Sequence, residues 1–189
     1  MKKVVNSVLI LAVAFGTMAF TATVKKKVNP AKSTIQWKGE KVLGEHFGTI
    51  KLQEGYLEMD GDALTGGMFV VDMTTITVTD LEGESKGKLE GHLKSDDFFG
   101  IENHPSATLV INKASALDNG YKVTGNITIK GTTEPVSFNL MMNDNDTATA
   151  KLVIDRTKFG IRYGSGSFFD NLGDKAISDN FELDVTLAF

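Results

Sequence analysis

Phe181-Glu182-Leu183-Asp184-Val185-Thr186-Leu187 alternates apolar and polar residues without a break. Successive side chains on a strand point to opposite faces, so this stretch has one apolar and one polar face and reads as a half-buried β-strand. The same period runs through Val136-Ser137-Phe138-Asn139-Leu140 and through Tyr121-Lys122-Val123-Thr124, resuming at Ile127-Thr128-Ile129. Between such runs stand Asp60-Gly61-Asp62, Asp118-Asn119-Gly120 and Asn143-Asp144-Asn145-Asp146, whose residue types tolerate positive φ and form hairpin tips. Strand-like runs at 34–38, 48–59, 63–79, 107–117, 120–130, 132–142, 147–155 and 176–188 make about eight strands joined by short turns. The expected fold is all-β: an antiparallel up-and-down barrel, which at about eight strands has room for side chains or one ligand.

One segment departs from this period. From Lys86 to Phe99, Leu89, Leu93 and Phe98-Phe99 recur near helical spacing, which predicts one short helix inserted between strands and ending at Gly100. At 189 residues and 41% hydrophobic content the chain fits one domain with a sizeable core. Glycine is abundant at 19, proline scarce at 3 and cysteine absent, so no disulfide framework or lipidated cysteine is possible.

The first residues, Met1-Lys2-Lys3 followed by an apolar run from Val8 to Phe15 and small residues around Thr17, Ala19 and Ala22, read as a secretory signal peptide over 1–22. The apolar run is shorter than the ~20 residues of a membrane-spanning helix, so no stable membrane insertion is expected. The domain is then 23–189, located in the periplasm or secreted, with Lys25-Lys26-Lys27 as a solvated tail. Without Lys2 and Lys3 it carries 18 basic against 24 acidic residues, a net charge of −6 that disfavours nucleic acid as a partner.

Sites of chemistry are sparse. The three histidines, His46, His92 and His104, lie in separate contexts with no metal-ligand spacing, and neither a nucleophile elbow, a P-loop nor a dinucleotide fingerprint occurs. No catalytic residue, metal or cofactor is expected. His92 and Asp96, at i and i+4, are the one acid–base pair an enzyme acting on a small amphiphile would use; a hydrogen bond on the helix surface is the preferred reading of them. The loop Arg162-Tyr163-Gly164-Ser165-Gly166-Ser167 offers glycines and serines as a nest for an anion, with Arg156 and Arg162 before it. Aromatic residues are the remaining rich class, and in a small barrel they fill a core or line a cavity. Trp37, Phe47, Phe69, Val123, Phe138, Phe159 and Phe181 are the expected ligand wall, with Arg162 and Ser165 at its polar end.

His92-Leu93-Lys94-Ser95-Asp96-Asp97-Phe98-Phe99, followed by Asn103-His104-Pro105-Ser106-Ala107-Thr108-Leu109, resembles a signature of the YceI-like family. Val123-Thr124-Gly125-Asn126-Ile127-Thr128-Ile129-Lys130-Gly131-Thr132-Thr133-Glu134-Pro135-Val136, Ile154-Asp155-Arg156-Thr157-Lys158-Phe159-Gly160-Ile161 and Leu172-Gly173-Asp174 are similar to three further motifs of that family, in the same order. Lys32-Ser33 stands where the family has His-Ser, and Leu89-Glu90-Gly91-His92-Leu93 departs from its Arg-Asp-x-His-Leu. The resemblance implies a lipocalin-like antiparallel barrel whose interior accepts a long-chain isoprenoid or other amphiphilic lipid. The competing expectation is an envelope stress-related protein whose barrel is structural or binds a protein partner.

Overall fold

The computed structural model describes residues 23–189; the leader expected at 1–22 lies outside them. Nine strands form: β1 (Val24–Lys27), β2 (Thr34–Lys41), β3 (Gly44–Asp60), β4 (Ala63–Val78), β5 (Ser106–Leu117), β6 (Gly120–Ile129), β7 (Thr132–Asn143), β8 (Thr147–Asp155) and β9 (Ile177–Ala188). Each of β2 to β8 pairs antiparallel with the next, and β9 pairs back onto β2, closing an eight-stranded barrel. Closure removes most free sheet edge. The long strands β3 and β4 bend through register shifts at Thr49/Lys51, Leu52/Glu54 and Glu58/Met59, where bulges sharpen the local twist.

The three anticipated hairpin tips all form, with Gly61 at φ 58°, Gly120 at φ 152° and Asp146 at φ 58°. They gather at one end, here the floor. At the opposite end, the cap, lie the single helix α1 (Gly83–Lys94), the turns of residues 95–105 and the long segment 156–176. The helix is shorter and earlier than its sequence period predicts. Ser95 turns extended (ψ 167°) and donates its N–H to Gly91 and His92 carbonyls, so Phe98 and Phe99 sit in a following turn rather than on the helix.

Lys25-Lys26-Lys27 is no tail. It belongs to β1, in register with Tyr56 to Glu58 of β3. Lys25 places its ammonium 3.9 Å from the Tyr56 ring centre, and Lys26 places its own 4.3 Å from that of Phe189 while bonding Asp146. A short, lysine-rich strand suits a sheet edge because its charges discourage pairing with another chain, and it leaves no apolar alternation to read.

Around the barrel, inward and outward side chains alternate. Gly48 faces Trp37 in the β2–β3 register, and a Cβ there would stand 2.7 Å from the indole and 1.8 Å from the Thr77 carbonyl. The missing side chain is what lets the indole lie flat against β3 and donate its Nε1–H to that carbonyl at 3.2 Å.

Candidate functional site

The barrel interior is not filled. A cavity follows its length, lined by residues from every barrel strand, among them Trp37, Phe69, Phe138 and Phe181. Val71, Leu109, Phe181, Leu183 and Val185 line it while remaining only partly buried, because the surface they expose belongs to the cavity. The lining runs along β9 from Ile177 to Leu187, roughly 33 Å of strand at ~3.3 Å per residue and roughly 25 Å along the barrel axis at a tilt of ~40°. The cavity volume is about 170 Å³; spread over that length it is a narrow passage, on the order of a few ångströms wide. That is the gauge of one hydrocarbon chain.

Both ends are covered. Leu57, Leu64, Val123 and Ala148, at most 4% exposed, pack the floor. Leu93 at the end of α1, with Phe98 and Phe99 from the following turn, lines the cap end and is buried there. Phe98 and Phe99 meet edge to face at 5.1 Å, and Phe99 meets Phe181 at 6.2 Å.

The one ionised side chain in the lining is Arg156, 1% exposed, just beyond the end of β8. Its Nε donates to the Ser178 carbonyl at 2.9 Å, Nη1 to Ile161 at 2.9 Å and Nη2 to Ile177 at 3.0 Å. Those bonds tie segment 156–176 to the top of β9. Its guanidinium also lies 5.6 Å from the Phe98 ring centre and 3.8 Å from Asp179 Oδ1. Burial pushes the guanidinium pKa down from its ordinary value, opposed by the charges of Asp179 and Asp155. Three of its five N–H groups serve backbone carbonyls, which leaves two at the rim of an apolar passage.

Two carboxylates hold the cap to the wall. Glu90 Oε1 on α1 accepts from Thr77 Oγ1 at 2.6 Å and from the Val78 N–H at 2.9 Å. These bonds, the Thr77 hydroxyl first, hold the Glu90 carboxyl below its usual range. Asp80 bonds the His46 ring at 2.7 Å and accepts from the Phe47 N–H at 3.0 Å. Burial pushes Asp80 up, but the bonds from His46 and the backbone outweigh it and leave the carboxyl below its ordinary value. A carboxyl with a depressed folded pKa adds stability that is fully present above its unfolded pKa and is lost as pH falls through the folded value. Amide exchange in α1 therefore accelerates, relative to the intrinsic exchange rate, as pH falls through and below the ordinary carboxylate range, and Glu90→Gln flattens that acid dependence.

His92 packs edge-on against Tyr163 at 4.3 Å and Phe98 at 5.5 Å, its Nε2 buried without a hydrogen-bond partner. It makes no hydrogen bond with Asp96, which lies beyond the helix end and is exposed, so the i, i+4 pair read from the sequence does not form. His92→Phe keeps the ring contacts and removes the unpartnered nitrogen; it is expected to hold or raise the melting temperature, whereas His92→Ala lowers it by several degrees.

Of the wall residues expected from sequence, Trp37, Phe69, Phe138 and Phe181 line the passage. Val123 points inward but is wholly buried in the floor, and Phe159 is buried within the cap. Phe47 points outward, 45% exposed, because Gly48, Ile50 and Leu52 occupy the inward phase of β3. In the 162–167 loop the Ser165 N–H bonds the Arg162 carbonyl and the Ser167 N–H bonds Ser165 Oγ, while the Gly164 carbonyl accepts from the Ile177 N–H and Ser167 Oγ donates to Asp179, both on β9. Ser165 is fully buried and Arg162 stacks outward on Phe168 at 4.5 Å, so neither touches the passage. The buried arginine of the site is Arg156. Among the described residues no three metal-type side chains converge, and no helix is long and apolar enough to cross a membrane.

A closed antiparallel barrel around an apolar passage, with a helix across one end, defines a lipocalin-like barrel able to take up a hydrophobic ligand. The chain belongs to the YceI-like domain family, whose model matches residues 27–189. Among curated relatives, a UPF0312 protein of Pectobacterium atrosepticum is 27% identical over 96 residues, half of each chain. Among solved structures, Burkholderia cenocepacia BcnA superposes with a TM-score of 0.67 at 22% identity, covering 85% of this chain and 98% of its own. A polyisoprenoid binding domain from Saccharophagus degradans, implicated in plant cell wall breakdown, superposes at 0.57 with 13% identity, covering 85% and 95%. At these identities the superpositions establish the shared fold.

Proposed function

We propose that this protein is a non-enzymatic carrier or store for one long apolar molecule, a polyisoprenoid being the simplest candidate, and that it acts in the periplasm or outside the cell after losing residues 1–22. The observation that carries the reading is the passage itself, as long as the barrel, one chain wide and walled almost entirely by hydrocarbon. Each buried methylene contributes ~0.8 kcal/mol, so fifteen give a gross ~12 kcal/mol before the costs of ordering the chain. The Saccharophagus domain of the same fold is described as polyisoprenoid binding, which supports the choice of ligand class.

The polar end of the ligand belongs under the cap, at Arg156. Asp179 lies 3.8 Å away and offsets much of the guanidinium charge, so the place favours a neutral oxygen over a phosphate, whose extra charge would be buried beside two carboxylates. Titration of the purified protein with geranylgeraniol and with geranylgeranyl phosphate tests this. The alcohol is expected to bind at least as tightly, and a tenfold preference for the phosphate would move the head group elsewhere.

A further inference from the structure

The eight strand pairs that close the barrel are unequal. Around the ring, β6–β7 has ten facing pairs, β8–β9 nine and β4–β5 six, whereas β7–β8 has four, from Leu140↔Ala150 to Asn143↔Thr147 beside the hairpin tip. Both strands continue toward the cap, β7 as far back as Thr132 and β8 as far as Asp155, without a further pair between them.

The unpaired stretch of β7 contains a residue that suits an edge. The Met142 N–H bonds the Asn119 carbonyl on the β6 side, so by alternation the backbone groups of Asn139, Ser137 and Pro135 face β8. Pro135 has no N–H to give, and a proline in that phase is tolerated only where a strand is an edge. From residue 139 upward, β7 is an edge inside a closed barrel.

Side chains fill the gap that hydrogen bonds leave. Continuing the register by two and four steps sets Phe138 against Leu152 and Val136 against Ile154. Phe138 and Leu152 both line the passage. On the outer lip Val153 is 58% exposed and Met141 36%, an apolar border to the seam. Elsewhere around the ring, parting the wall breaks a ladder of at least six pairs. Parting it here takes rotamer changes of apolar side chains and no interstrand hydrogen bond.

We infer that the seam between Thr132–Asn139 of β7 and Lys151–Asp155 of β8 is the port through which an apolar chain enters and leaves the barrel, with Phe138 and Leu152 as its gate. The inference rests on the apolar-ligand reading above. Buried side chains cover the floor and most of the cap, and the seam runs beside the lining residues Phe138 and Leu152, so a chain can pass sideways with neither end opened.

The absence of cysteine gives a clean test. Continuing the register three steps beyond the last pair sets Ser137 against Val153, and both are exposed. The Ser137→Cys/Val153→Cys double variant is bridged with a short bifunctional thiol reagent, and uptake and release of the neutral dye N-phenyl-1-naphthylamine and of geranylgeraniol are followed by stopped flow. A Gln36→Cys/Asp184→Cys variant, bridged across the intact β2–β9 ladder, is the control. Bridging the seam is expected to slow uptake and release together by tenfold or more with the dissociation constant within twofold, because a gate changes the barrier and not the end states. The control bridge leaves both rates unchanged, and Phe138→Ala raises both. Unchanged rates in the bridged seam variant overturn the port while leaving the carrier reading intact. Failure of the unbridged protein to bind either compound overturns both.

Discussion

Ala150→Trp is expected to abolish uptake of apolar chains while leaving the barrel folded. Ala150 lines the passage midway along β8, between Leu140 on β7 and Val185 on β9 in the two registers. Ala148, Leu152 and Ile154 share its inward phase and are buried. An indole at this position occupies space that is open in the native barrel, so it blocks the chain without the strain that overpacking a filled core brings. Affinity for geranylgeraniol should fall at least a hundredfold, and the β-type circular dichroism and the urea slope should stay native. Val123→Trp is the contrasting variant. Val123 is 0% exposed in a packed floor, and a large side chain there is expected to cost ~1–3 kcal/mol of stability because there is no void to receive it.

The second large effect is on stability. Replacing Arg156 with methionine leaves the carbonyls of Ser178, Ile161 and Ile177 without their charged donor, each such bond being worth ~1.5–3 kcal/mol to a charged group. Methionine restores part of the volume and relieves the burial of the charge. The expected net loss is about 3–4 kcal/mol, of the order measured when one partner of a buried charged set is removed, and urea denaturation reads it directly. Arg156→Lys is not a conservative rescue, because an ammonium cannot reach three carbonyls placed around a planar guanidinium. Arg162→Ala, removing a cation stacked outward on Phe168, is expected to change stability by less than ~0.5 kcal/mol.

Alternation carried most of the fold. All eight barrel strands are visible as period-two runs or as stretches between turn residues, and the turns at Gly61, Gly120 and Asp146 follow from residue type. β1 is hidden because it is a run of lysines, two of which, Lys25 and Lys26, snorkel over Tyr56 and Phe189 instead of showing an apolar face. The helix was misplaced because Phe98 and Phe99 keep helical spacing while the chain has already turned at Ser95. The site was legible only in part. Trp37, Phe69, Phe138 and Phe181 follow from being large and in the inward phase. Phe47 fails on phase alone, since it is one residue out of step with Ile50 and Leu52. Arg156 was readable by the same rule: Ala148, Ala150, Leu152, Ile154 and Arg156 share one parity, which places a guanidinium on the inward face just where β8 ends. Composition points to the glycine-serine loop instead, and that loop is tied internally through Ser165 and to β9 through Gly164 and Ser167. Pairing length between β7 and β8 had one local signal, Pro135, whose meaning depends on a register that only the folded barrel supplies.

The most direct measurement is mass spectrometry of lipids extracted from protein purified, without detergent, from the cell envelope of its native host. A long neutral or weakly polar isoprenoid chain is expected at close to one molecule per barrel, absent from Ala150→Trp prepared in the same way. Native protein that carries no such molecule, and whose melting temperature is unmoved by geranylgeraniol at saturating concentration, would contradict the carrier reading.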